Sequence, residues 1–113
     1  MNLPTVPTTK ILAISHPGSM QASQDQFAAI LQHEVRETVA AYLNGKIDQW
    51  YFRPDGKGVV FVVNAAAVEE AKAILEQFPL GKAGLMAFDY IPLGPLSPLR
   101  LLANAPIAYP ASR

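Results

Sequence analysis

Residues 46–63 read KIDQWYFRPDGKGVVFVV, and the architecture of the chain turns on them. Lys46–Arg53 and Val59–Val63 are runs rich in aromatic and β-branched residues, the types that fit a pleated, half-buried surface. Between them stands Pro54-Asp55-Gly56. Proline presets the φ of a turn and glycine accepts its left-handed position, so the stretch predicts two strands joined as a tight hairpin.

Helical patterns flank the hairpin on both sides. Upstream, Ser23 and Gln26 have capping-box spacing, and Asp25 suits the positive end of a helix. That helix is expected to run to about Asn44, with Gly45 as its stop. Downstream, Asn64 is placed to cap a second helix with the stripe Val68, Ala71, Leu75 and Phe78, ended by Pro79. A short apolar strand, Lys10–Ser15, comes first and ends at His16-Pro17-Gly18; Leu85–Ile91 reads as the last strand. The order βαββαβ is the ferredoxin-like plan, an α+β fold with a four-stranded antiparallel sheet and both helices on one face.

Three segments follow. Residues 1–9 are expected to be a flexible N-terminal arm, and 10–93 the ferredoxin-like domain. Residues 94–113 read as a Pro/Leu-rich C-terminal tail. From Pro92 onward lie five of the ten prolines, with Leu93, Leu96, Leu99, Leu101 and Leu102. So apolar a tail is expected to dock on the domain or on a partner subunit.

At 113 residues, half of them hydrophobic and 16% charged, the chain supplies one well-stocked core. Its net charge is zero and its basic residues are scattered. Nucleic acid and anionic membranes both need a clustered positive field, so neither is an expected partner. No apolar run reaches the roughly 18 residues that span a bilayer. With no cysteine, disulfides and thiolate chemistry are excluded. The first nine residues lack the charged and apolar regions of a signal peptide, and a cytoplasmic location is expected.

Strand composition also bears on assembly. A sheet face that meets water alternates to polar residues, and neither Val59–Val63 nor Leu85–Phe88 does so. Two helices cover one face only. The second cover is expected to be the sheet of another subunit, giving a homodimer or larger homo-oligomer.

Glu34 is the strongest lead to chemistry. On a wheel of about 100° per residue, Phe27, Ile30, Leu31, Val35, Thr38, Ala41 and Tyr42 share one face, and Glu34 falls within it. Apolar surroundings disfavour a charged carboxylate and raise its pKa toward the range of a general acid or base. The plainer alternative is a rim glutamate whose head reaches water or pairs with Arg53 or a lysine. Alternation along the second strand groups Ile47, Gln49, Tyr51 and Arg53 on one face, and Asp48, Trp50 and Phe52 on the other. Gln49, Tyr51 and Arg53 form a polar row able to hold a carboxylate or lactone oxygen, or simply a solvated or interface-lining face. His16 and His33, the only histidines, stand 17 residues apart, and no metal is expected. Asp89 is a further carboxylate, and no phosphate-binding glycine loop is present.

The stretch from Glu34 to Pro95 resembles the muconolactone isomerase family of the dimeric α+β barrel superfamily. The shared features are a glutamate in the middle of the first helix and Gly45 before an aromatic strand with Trp50, Tyr51 and Arg53. They continue through a glycine turn, a valine-rich strand, Phe78-Pro79-Leu80 and a closing Pro92-Leu93-Gly94-Pro95. The resemblance implies sheet-to-sheet dimers or rings, no cofactor, and a proton shift in a small lactone or organic acid. Glu34 matches the family's glutamate by position. In an isomerase of this kind Glu34 is the base and Tyr51 or Arg53 steadies the enolate. Two other functions fit the same residues: a non-catalytic oligomeric binding or assembly module, and a small-ligand sensor.

Overall fold

A computed structural model describes residues 6–96 of the chain. Its elements are β1 (Lys10–Pro17), α1 (Gln24–Leu43), β2 (Ile47–Phe52), β3 (Val59–Val63), α2 (Val68–Leu75), α3 (Pro79–Lys82) and β4 (Met86–Leu93). The strands form one antiparallel sheet in the order β2-β3-β1-β4, compatible with the ferredoxin-like plan. Most of the proposed tail, 97–113, and residues 1–5 of the arm lie outside the described residues. Within them, Thr9 N–H donates to the Leu93 carbonyl at 2.9 Å, so the end of the arm runs beside the end of β4.

The helices cover one sheet face. Ile11 and Ala13 of β1 pair with Val63 and Phe61 of β3, and all four are buried against Ala41, Ala71, Leu75 and Phe78. Ser15 continues this inward row, and its hydroxyl accepts a hydrogen bond from Val59 N–H at 2.8 Å. On the other face Leu12, Ile14, Val60 and Val62 are only partly buried, and Ile91 is 45% exposed. No described element covers them.

The first helix begins as expected. Ser23 Oγ accepts from Gln26 N–H, and Gln26 Oε1 accepts from Ser23 N–H, completing the capping box. Its inward line is narrower than the wheel implied. Glu34 and Ala41 are buried and Ile30 and Thr38 partly so, while Phe27, Leu31, Val35, Val39 and Tyr42 are exposed. The flank from Leu31 to Tyr42 overhangs edge strand β2, where the Tyr42 ring stacks on Trp50 at 4.3 Å between centroids.

The second helix ends at Leu75, before the proline expected to stop it. Pro79 instead occupies the first turn of α3, where its missing N–H costs nothing. Asn64 does not cap α2, whose cap residue is Ala67. Its side chain accepts from Lys10 Nζ at 2.6 Å and donates to the Gly45 carbonyl at 2.7 Å, tying strand ends together.

Strand β2 departs from strict alternation. Ile47 pairs with Val63, and Gln49 pairs with Val62, so Asp48 is an extra residue. This bulge reverses the parity beyond it. Ile47 therefore shares the helix-facing side with Trp50 and Phe52, opposite Phe61 and Val59, and not with Gln49 and Tyr51.

Candidate functional site

The bulge and the overhanging helix together create a cavity. Trp50 and Phe52 turn under α1, but α1 presents Leu31, Val35 and Val39 there without closing onto them. The result is an open apolar cavity of about 510 Å³ between α1 and the β2–β3 hairpin, lined also by Leu80 and Met86. Ligand sites commonly fall at about 300–1,000 Å³.

Glu34 lines this cavity and is 7% exposed. Its Oε1 accepts a hydrogen bond from Leu80 N–H at 2.9 Å. Leu80 follows Pro79 in the first turn of α3, and the cap residue Phe78 offers no side-chain acceptor. The glutamate thus satisfies a helix-end donor that would otherwise be buried without a partner. The plainer alternative, a rim carboxylate paired with a cation, is not the arrangement found: Glu34 forms no ion pair among the described residues.

The electrostatics follow from this setting. Burial raises the Glu34 pKa above its ordinary value of 4.5 and is the dominant influence. The Leu80 N–H opposes it by favouring the charged form, Glu37 nearby raises it further, and the Thr38 hydroxyl lowers it. That hydroxyl also donates to the Glu34 main-chain carbonyl at 2.8 Å.

Tyr51 and Arg53 stand differently. Tyr51 is among the residues at the cavity, but it pairs with Val60 on the open sheet face, and its hydroxyl donates to Gln49 Oε1. Arg53 lies outside the cavity lining. Its Nη2 donates to Asp55 Oδ2 at 2.7 Å within the turn. Asp55 also accepts from Lys57 N–H, the chief reason its carboxyl sits below the ordinary range. The structure therefore brings Glu34 and Tyr51 to one cavity and leaves Arg53 in the hairpin turn.

Sequence reasoning missed three contributors. Trp50 and Phe52 were grouped apart from Ile47 because nothing in IDQWYF announces a bulge, and alternation alone left open which face meets the helices. The Leu80 N–H did carry a signal, since Phe78-Pro79-Leu80 places proline at a helix start. His16 lies apart from the cavity, on the open face, with Nε2 3.5 Å from Asp89. Among the described residues no cluster of three or more potential metal ligands occurs, and no helix is long and apolar enough to cross a membrane.

The site geometry defines a class no narrower than a small α+β protein with an acidic group in an apolar cavity. No protein-family model matches the chain, and no curated protein matches it in sequence.

Proposed function

We propose that the protein is a cofactor-free, small-molecule isomerase resembling the muconolactone isomerase family, with Glu34 as its proton carrier. The observation that carries this is a single buried carboxylate, of raised pKa, at the inner side of an apolar cavity. In the proposed step the carboxylate removes a proton from carbon next to a lactone or ketone carbonyl. The C–H electron pair moves into an enolate, and the same carboxyl returns the proton to the far end of the conjugated system. Atoms and charge balance without an external acid, oxidant or reductant. Burial favours the first half, because a base with a raised pKa accepts the proton more readily, and the return is driven by the enolate, a far stronger base than a carboxylate. Tyr51 stands at the cavity as a candidate donor to the enolate oxygen and serves only by leaving Gln49, as Arg53 joins only by leaving Asp55.

The working unit we propose is a homodimer or larger homo-oligomer whose open sheet faces meet, as in a dimeric α+β barrel. Leu12, Ile14, Val60, Val62 and Ile91 supply an apolar centre, and His16 with Asp89 lies at the margin. This also supports the non-catalytic assembly module as a second reading, because the same face serves either.

The discriminating experiment follows the isomerisation of a β,γ-unsaturated butenolide by the ultraviolet absorbance of its conjugated product. The native protein is expected to exceed Glu34→Gln by roughly 10²-fold or more. Equal rates in both proteins, or no rate above buffer, would leave the assembly module standing.

A further inference from the structure

Of the described residues that line the cavity, Glu34 alone carries a charge. Its polar neighbours are largely engaged already. The Thr38 hydroxyl donates to the Glu34 carbonyl, the Tyr51 hydroxyl donates to Gln49, and one Glu34 oxygen holds Leu80 N–H. Among the described residues no hydrogen bond engages the second carboxyl oxygen or the Trp50 indole N–H, and these are left to a guest between walls of Leu31, Val35, Phe52 and Phe61.

We infer that the cavity takes an uncharged, ring-sized, mostly apolar molecule with one oxygen function, a hydroxyl or carbonyl, placed at Glu34. This narrows the proposed function and rests on its assignment of the cavity as the ligand site. The choice follows from counting partners. A carboxylate guest brings two charged oxygens beside Glu34, with no cation in the lining to offset either. An ammonium guest brings three donors and no acceptor; the free carboxyl oxygen and the lone pairs of the Thr38 hydroxyl can meet two of them, and the third is left against an apolar wall. A hydroxyl donates to the carboxylate, and a carbonyl accepts from the protonated carboxyl, so either is served by a single oxygen. The flat rings of Trp50, Phe52 and Phe61 suit a planar guest. Arg53, paired with Asp55 in the turn, is not part of the lining.

Trp50 is the sole tryptophan, so ¹⁵N-labelled protein gives one indole N–H signal, located at the cavity. Three probes of equal ring size are titrated at neutral pH: 2-naphthol, 2-naphthoate and 2-naphthylmethylammonium. Naphthol is expected to shift the indole signal saturably and to bind at least ten-fold tighter than either charged probe. In Glu34→Gln the handicap of naphthoate relative to naphthol is expected to shrink several-fold. Val35, 55% exposed, is a second site that does not threaten folding, and Val35→Trp is expected to abolish naphthol binding. Naphthoate or the ammonium binding as tightly as naphthol overturns the inference while leaving the cavity as a ligand site. Naphthol binding that survives Val35→Trp also overturns it. No shift with any probe removes the ligand site itself, and the proposed function with it. Tight naphthol binding with no butenolide turnover removes the catalysis and upholds the ligand class.

Discussion

Glu34 holds two jobs in one side chain. As a cap it accepts from Leu80 N–H, and as a cavity group it is the lining's only charge among the described residues. The two are linked through protonation. Below about pH 4.5, the ordinary carboxyl value, folded and unfolded chains both hold this proton. As pH rises past that point the unfolded chain releases it first, because burial raises the folded value. The folded state then binds more protons than the unfolded one, and its stability falls until pH passes the folded pKa. Glu34→Gln retains a carbonyl for Leu80 but cannot ionise. The native protein is therefore expected to lose stability relative to this variant as pH rises from 4.5, read as diverging urea midpoints across a pH series. A constant difference between the two would contradict the burial of the carboxylate. Its inward angle was legible from helical period and residue type, which left a buried and a rim position both open. Its partner was not, since pairing with Leu80 depends on where α3 lands.

Element by element, the sheet rests on close fits that composition hides. Gly58 leads into β3 with φ of +139°, a conformation that residues with a side chain rarely adopt. A Cβ there would stand 2.2 Å from Ser15 Oγ, the atom that receives Val59 N–H. Gly58→Ala is expected to cost about 1–3 kcal/mol, from backbone strain and loss of that hydrogen bond. Chemical denaturation measures this directly, and a change under half a kilocalorie would show that hairpin and β1 adjust freely. Asn64 is no cap and α3 was not foreseen, yet the order of the strands and of the two longer helices was legible from Lys10 to Leu93, because apolar runs and turn residues agree. The face assignment of β2 was not. Alternation has a period of two only while each residue has one partner, and Asp48 has none of its own. The exposed flank of α1 was equally hidden: the wheel shows which residues are apolar, whereas the depth of each depends on how far the helix stands off the hairpin.

Over the described residues as a whole, the sheet face opposite the helices is left without a cover. Its centre, Val60, pairs with Ile14 on one side and Tyr51 on the other. Val60→Lys places a charge in the middle of the proposed contact without touching the helix-side core. In sedimentation at micromolar concentration the native protein is expected as a dimer or larger, and Val60→Lys as a folded monomer of about the 12.2 kDa chain mass. A native protein that sediments as a monomer would refute the sheet-to-sheet assembly. The tail from 97 onward lies outside the described residues, so its expected docking stands apart from this test.

The bulge at Asp48 has one more effect, at the margins of the sheet. Strand β2 forms one edge, and its ladder is interrupted where Lys10 Nζ reaches Asp48 at 3.3 Å. Strand β4 forms the other, and there Pro92 has no N–H to donate. A further strand arriving at either margin meets a kink with a charge or a missing donor. Growth sideways, the route to fibrils, is thus discouraged on both flanks, while face-to-face pairing consumes the surface it uses and halts. A chain half hydrophobic by composition thus carries, at both edges of its sheet, features that oppose the addition of a further strand.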